Sequence, residues 1–214
     1  IKEFMTFYSG GEPSSLPLQY KDFAQWQQDQ LTSGKLKQQE KYWLNRFPGG
    51  ELPVLNMPMD FPRPAQQSLE GERFDFILEK PLTAVVKSIM KKTGTTLYMI
   101  LLTVYNILLA RYTGQEDIVV GTTIAGRHHP DLQGIIGLLI ETLVQRNYPI
   151  GRLEFETFLE IVKNETLEAH ENQAYPFREL IRLLGVDNES SRNPVFDVML
   201  IVQNIESLEF RLEG

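Results

Sequence analysis

Hydrophobic residues recur at helical spacing in several long segments of the chain. The predicted helices cover residues 1–8, 20–26, 36–47, 82–92, 97–112, 155–169 and 177–184. Elsewhere apolar residues alternate with polar ones or form short β-branched runs, which is typical of strands. The predicted strands cover residues 73–78, 117–124, 143–148, 195–202 and 208–212. Because strands and helices alternate along the chain, the pattern predicts an α/β fold.

Local signals at the ends of these segments add detail. Thr95 or Thr96 can cap the helix at 97–112, and Gly114 can end it. Residues 10–17 contain Gly, Pro and Ser and indicate a surface linker, while residues 52–65 are rich in proline and are expected to be extended. No capping residue precedes the first apolar residues, so residues 1–8 are interpreted as the last turns of a helix that begins upstream of Ile1.

The composition, with 42% hydrophobic and 23% charged residues, fits an ordinary globular protein. A formal net charge of −7 argues against nucleic acid as the main partner, because phosphate binding needs a basic surface. The chain has no cysteine, and no nucleophile elbow, P-loop or HExxH motif occurs, which leaves metal catalysis with little support. The most apolar segment is shorter than a membrane span, and no signal-peptide pattern is present. These features predict a cytoplasmic protein with no membrane partner.

A set of short segments stands out by residue type and order. They are Tyr20–Trp26 (YKDFAQW), Asp60–Pro64 (DFPRP), Ile136–Leu143 (IGLLIETL), Asn172–Phe177 (NQAYPF) and Ser191–Phe196 (SRNPVF). Together they resemble the later motifs of condensation domains of nonribosomal peptide synthetases, with patterns YxDFAxW, DxPRP, IGxFVNT, QDYPF and SRNPxF. The resemblance runs from about Ile1 to the end of the chain. One such motif is weak support, but five in the family's order are strong support.

The resemblance implies a chloramphenicol acetyltransferase-like fold, in which two similar lobes face each other across a tunnel. Residues 71–214 of this chain would form the carboxy-terminal lobe, an α/β unit with a mixed β-sheet and packed helices. Residues 1–15 would be the end of a truncated helix and a linker. Residues 16–70 would be a helical and proline-rich connecting segment. The chain would thus supply one wall of the tunnel.

The same resemblance implies the reaction and the partners. The whole domain would form an amide bond between donor and acceptor thioesters, which carrier domains hold on phosphopantetheine arms as substrates. The partners would be the amino-terminal lobe, the peptidyl carrier domains and a neighbouring adenylation domain. The catalytic HHxxxDG motif is expected upstream of Ile1, so this chain would carry no catalytic residue, bind no cofactor directly and be inactive alone.

A second histidine pair lies inside the chain, at His128-His129, followed by Gln133-Gly134. In one interpretation His129 is a general base, since imidazole titrates near neutral pH. In the other, which we favour, residues 125–133 are a polar connecting loop, because Gln133 replaces the aspartate of the family motif. Arg127 in this loop either pairs with the motif's aspartate on the other lobe, as the resemblance suggests, or is a solvated loop arginine.

The resemblance also indicates residues that shape the site. They are Tyr20, Asp22, Trp26, Arg127, Glu141, Thr142, Gln173, Tyr175, Arg192 and Asn193. Glu141 and Thr142 stand where the family usually has Asn-Thr, a pair expected near the tunnel. An ionised carboxylate accepts hydrogen bonds but does not donate them, so Glu141 cannot replace the donor role of an amide.

Structural roles remain the alternative for these residues. The aromatic residues of 20–26 are also placed to pack in a core, with Asp22 near the start of a helix. Pro176 suits a first helical turn, which makes Tyr175 an aromatic anchor and Gln173 part of a helix start. Arg192 either holds the turn formed by residues 191–194 or lies near a carrier's phosphate.

Other functions are compatible with the same motifs. One is a non-catalytic module that docks carrier domains or acts as a scaffold. Another is a stand-alone acyltransferase of the same fold with a soluble acceptor. An epimerisation domain is less favoured, because Ile136–Thr142 resembles the condensation pattern better.

Overall fold

A computed structural model describes residues 2–12, 15–68, 70–127, 129–186 and 191–203. The helices are α1 (Lys2–Tyr8), α2 (Tyr20–Thr32), α3 (Lys37–Arg46), α4 (Lys80–Thr93), α5 (Leu97–Thr113), α6 (Phe155–Glu171) and α7 (Phe177–Leu184). The strands are β1 (Ile118–Ile124), β2 (Glu141–Asn147) and β3 (Val198–Met199), and short 3-10 turns lie at Pro48–Gly50 and Pro130–Leu132. The helical spacing in the sequence therefore predicted every described α-helix, with ends shifted by one or two residues except in α2, which continues six residues beyond Trp26 to Thr32.

The strands form one mixed sheet in the order β2-β1-β3. β1 and β2 are antiparallel, with Ile118 opposite Asn147 and Ile124 opposite Glu141. β1 and β3 are parallel, with Val120 opposite Val198. The prediction of an α/β fold with a mixed sheet and packed helices is confirmed.

Helices cover both faces of the sheet. Neighbouring residues of β1 point to opposite sides, and each side packs against different helices. Val119 packs in a buried cluster with Trp43 of α3 and Leu180 of α7. Val120, on the other face, packs in a second cluster with Leu102 of α5. Phe158 and Val162 of α6 also belong to that second cluster. α3 thus shares a core with the sheet, while the domain boundary near residue 71 stays a prediction.

α5 is the most apolar helix, and its ends follow the predicted signals. The Thr96 hydroxyl accepts the backbone N–H of Met99 at 3.3 Å, and Gly114 ends the helix with a φ of 71°. One face of α5 is buried against the sheet, but Val104 and Leu108 on the outer face are 49% and 48% exposed. No described helix is by itself long and apolar enough to cross a membrane, although α4 and α5, bent by 109°, would pass together by length and composition alone.

Two predicted strands differ in the structure. Residues 73–78 have no regular structure, and Phe74, Phe76 and Ile77 are 86%, 74% and 92% exposed. The alternation there suits a strand, but a strand needs a hydrogen-bonded neighbour, and the described residues provide none. The strand expected at 195–202 is reduced to Val198–Met199, where it pairs with β1. The strand predicted at 208–212 lies outside the described residues.

Candidate functional site

The first motif forms the start of α2, where aromatic rings follow each other along one face. The ring centroids of Tyr20 and Phe23 are 6.0 Å apart, and those of Phe23 and Trp26 are 5.9 Å apart. The Asp22 carboxylate accepts the backbone N–H of Gln19 at 2.9 Å, so it satisfies one of the unpaired donors at the helix start. In this structure Asp22 therefore caps the start of the helix. The rings of Tyr20, Phe23 and Trp26 form one side of α2, against which residues of other motifs pack.

The second motif contacts the first through a glycine. A Cβ atom at Gly137 would lie 2.3 Å from Cδ2 of Tyr20. Ordinary carbon contacts are about 3.5–4.0 Å, so a larger residue at position 137 would displace the Tyr20 ring. Gly126 likewise has a φ of 64°, and a Cβ there would lie 1.7 Å from the carbonyl oxygen of Leu139. Both glycines allow the loop between β1 and β2 to pack against α2 and against itself.

Three of the predicted site segments meet at one small cleft, which we call the motif cleft. It has a volume of about 20 Å³ and is lined by Phe23, Trp26, Gln27, Gly126, Glu141, Gln173 and Ala174. Trp26, Glu141 and Gln173 are thereby brought together, although they lie far apart in the sequence. A cavity of this size holds about one water-sized group.

Glu141 supplies the charge of the motif cleft. Its Oε1 accepts a hydrogen bond from Nε2 of Gln27 at 3.3 Å, and the side chain forms no ion pair within the described ranges. Burial raises the pKa of Glu141 above its ordinary value, and the hydrogen bond from Gln27 lowers it in part. The cleft therefore presents a partly buried carboxyl group that one amide compensates.

Thr142 does not join Glu141 in the cleft. Successive residues of a strand point to opposite faces, and Thr142 lies beside Trp43, Tyr175 and Leu180 on the core side. The Asn-Thr pair of the resemblance is therefore divided here between two faces of β2. Only position 141 is placed to act in the motif cleft.

The residues before α7 are also divided. Gln173 lines the motif cleft and donates from Nε2 to the carbonyl oxygen of His170 at 2.7 Å. Tyr175 is 4% exposed and donates its hydroxyl to Oε2 of Glu40 at 3.2 Å. Burial, together with the neighbouring Glu40, raises the pKa of Tyr175 to about 12. Tyr175 is thus a core anchor in this structure, and Gln173 is the residue that faces the cleft.

The histidine loop lies beside a larger cavity on the same helix, which we call the apolar cavity. It has a volume of about 410 Å³ and is lined by Leu18, Asp22, Phe23, Trp26, His129, Asp131, Leu132 and Ile135. The His129 side chain is 63% exposed, and its Nδ1 accepts the backbone N–H of Asp131 at 3.3 Å. His129 therefore borders an open cavity and stabilises its own loop. His128 lies outside the described residues.

Arg127 links the two ends of this loop through hydrogen bonds. Its guanidinium donates to the carbonyl oxygens of Leu132 and Gln133, and the Gln133 side chain returns a hydrogen bond to the carbonyl of Arg127 at 3.0 Å. The guanidinium fork is thus engaged by backbone oxygens within residues 127–133. An ion pair between Arg127 and another lobe stays a prediction.

The last motif lies apart from the motif cleft, in an ionic cluster. The Asn193 side chain accepts the backbone N–H of Val195 at 3.2 Å, which forms the predicted turn. Arg192 and Arg63 each approach Oδ1 of Asp197 at 3.7 Å, and Oδ2 of Asp197 accepts the backbone N–H of Leu55. Asp197 therefore joins two predicted motifs, DFPRP and SRNPVF.

Two residues that contact the predicted site residues, Asp197 and Gln27, were not predicted from the sequence. Asp197 lies directly after the SRNPVF motif, and its closeness to that motif's arginine is the only signal in the sequence that could have indicated it. Gln27 gave no signal, because a glutamine on a helix surface has no distinctive pattern. Among the described residues, no group of three or more His, Asp or Glu side chains is placed to hold a metal ion.

The sheet with helices on both faces is that of a chloramphenicol acetyltransferase-like lobe. The chain superimposes with a TM-score of 0.81 on the X-domain from teicoplanin biosynthesis, at 25% identity over 91% of this chain and 44% of that one. The condensation domain of the Monacolin K polyketide synthase gives a TM-score of 0.76, at 22% identity over 91% of this chain and 47% of that one. The second likeness shows the fold alone.

The family model described as "Condensation domain" matches residues 1–213. Bacitracin synthase 2 of Bacillus licheniformis is 50% identical over 214 residues, and Tyrocidine synthase 3 of Brevibacillus parabrevis is 45% identical over 214 residues. The chain belongs to the condensation-domain family of nonribosomal peptide synthetases. All of this chain is covered in both comparisons, but it spans only 8% and 3% of those proteins.

Proposed function

We propose that the protein containing this chain joins a donor acyl group to an acceptor amine, with both substrates held as thioesters on the phosphopantetheine arms of carrier domains. The observation that carries the proposal is the match of the condensation-domain model to residues 1–213. It is supported by the motif cleft, where residues from three family motifs meet. Carrier and adenylation domains would be the partners, and the cytoplasm would be the location.

The reaction is an aminolysis. The amine nitrogen of the acceptor attacks the donor thioester carbonyl, the C–N bond forms, the C–S bond breaks, and the thiol of the donor arm leaves with a proton. Such a reaction gains most from holding amine and carbonyl in line, which removes the entropy cost of a bimolecular encounter. The described residues of this chain contribute aromatic rings and a carboxyl group to the motif cleft. Such groups can hold a substrate in a fixed orientation.

We further propose that this chain has no appreciable turnover alone. His129 is mostly exposed and engaged by its own loop, so it is poorly placed to deprotonate an amine in the motif cleft. The test is to assay amide formation with loaded donor and acceptor carriers, using this chain, the complete condensation domain, and the complete domain carrying His129→Ala. We expect product from the complete domain and its His129→Ala variant, and none from the chain. Turnover by the chain alone would contradict the proposal, and loss of product in the His129→Ala domain would contradict the structural role given to His129.

A further inference from the structure

Glu141 is a partly buried carboxyl group that the described residues compensate with a single side-chain hydrogen bond. A partly buried carboxylate is costly unless a positive group or several donors compensate it. Within the described part of the chain it receives one side-chain hydrogen bond, from Gln27, and no ion pair. A carboxylate that is left in this condition inside a cleft is a candidate for binding a ligand.

The amides of Gln27 and Gln173 each make a hydrogen bond through the side-chain nitrogen. Gln27 uses Nε2 on Glu141, and Gln173 uses Nε2 on the carbonyl of His170. Each amide is therefore oriented by a bond made through its nitrogen, which leaves its carbonyl oxygen as an acceptor. A group that only donates, such as a primary ammonium with three N–H bonds, complements one carboxylate and two amide oxygens.

The aromatic walls extend this match to the rest of a ligand. Phe23 and Trp26 line both the motif cleft and the apolar cavity, so these two rings are common to both spaces. A volume of about 410 Å³ for the apolar cavity lies in the range of small-molecule sites. The cleft of about 20 Å³ admits only one water-sized group, which is the size of an ammonium. An indole ring next to such a group adds a cation–π attraction.

We propose that the apolar cavity and the motif cleft together bind the alkylammonium side chain of a carrier-bound aminoacyl substrate, with the methylene stem along Phe23 and Trp26 and the ammonium on Glu141. Glu141 is then a specificity-determining residue. This inference rests on the proposed function, since the ligand is one of the two substrates of the condensation. The family pattern usually has a neutral asparagine where Glu141 stands, so the pattern itself does not supply this carboxylate.

The experiment compares a charged side chain with a neutral one of the same length. The complete condensation domain containing this chain is assayed with lysyl and norleucyl groups, first on the acceptor carrier with a neutral donor, then on the donor carrier with a neutral acceptor. We expect the wild type to prefer lysyl at least tenfold in one arm. That arm identifies whether donor or acceptor supplies the side chain. A ratio near one in both arms overturns the inference.

Glu141→Gln then removes the charge while keeping the size. We expect the lysyl preference to disappear, because the lysyl rate falls further than the norleucyl rate, and the ratio of the two rates is the quantity measured. Glu160→Gln, an exposed carboxylate on α6 with the same change of net charge, is the matched control and should keep the preference. A preference that survives Glu141→Gln, or rates that fall equally for both substrates, would overturn the inference. Absence of any amide product in the wild type would instead count against the proposed function.

Discussion

The contact between Gly121 and Phe196 offers the sharpest test of how the SRNPVF motif is anchored. A Cβ atom at Gly121 would lie 2.6 Å from both Cε2 and Cζ of the Phe196 ring. Phe196 is 6% exposed, and its ring also contacts Phe177 at 5.8 Å between centroids. The ring is therefore held between the central strand and α7, and it has little room to move away from β1.

Gly121→Ala places a methyl group about 1 Å inside the ordinary carbon contact distance of about 3.5–4.0 Å. Such overpacking costs about 1–3 kcal/mol. The lower entropy of the unfolded alanine chain returns about 0.4–1 kcal/mol. We therefore expect the free energy of unfolding to fall by about 1–2 kcal/mol. Gly71→Ala is the control, because no atom lies within 4 Å of a Cβ at that exposed position.

The second half of the test removes the two ring atoms that lie nearest to the new methyl group. Phe196→Leu removes Cε2 and Cζ, and it should cost less than the roughly 3–5 kcal/mol of a truncation to alanine. In the double variant the new methyl group occupies the space that the ring left. We expect the double variant to be more stable than the sum of the single effects predicts, by about 1 kcal/mol or more. Urea unfolding of all four proteins measures this coupling, and additive effects would show that the ring does not rest on Gly121.

Three further substitutions test separate parts of the structure. Burial raises the pKa of Glu141 above 4.5, so the folded protein binds this proton more tightly than the unfolded chain, and stability falls as pH rises through the raised pKa. Glu141→Gln should therefore raise the melting temperature at about pH 8 but not at about pH 4, and an equal effect at both would refute this. Asp197→Asn should weaken the contacts with Arg63 and Arg192, lower stability by about 1–3 kcal/mol and speed protease cleavage in residues 52–65; unchanged cleavage would contradict it. Trp43→Phe should cost about 1–2 kcal/mol in urea unfolding, because the indole N–H bonds a carbonyl at the end of α6; no loss would contradict it.

The helices were predictable because their apolar spacing and end signals are local. Thr96 and Gly114 mark α5 in the sequence, and the structure uses both. The prediction of a strand at residues 73–78 was wrong for the opposite reason. A strand depends on a hydrogen-bonded neighbour that the local sequence does not specify. Alternation predicts the conformation that residues can adopt, but pairing decides whether they adopt it.

The site shows the same division. The motifs indicated Trp26, Glu141 and Gln173, and these residues meet in one cleft. Their order along the chain could not show that Thr142 and Tyr175 face the core while Gln27 reaches Glu141. Those facts depend on which face of β2 is covered and on how α2 packs across it, which are properties of the tertiary structure.

The exposed segment at residues 73–78 has a practical consequence for work with this polypeptide. Its backbone is not in a sheet, and Phe74, Phe76 and Ile77 face solvent. Unpaired stretches with high β-propensity can pair with the same stretch of another molecule, which favours aggregation at high concentration. Handling the polypeptide dilute, or introducing a lysine at position 76, would keep such self-association from being mistaken for recognition of a carrier.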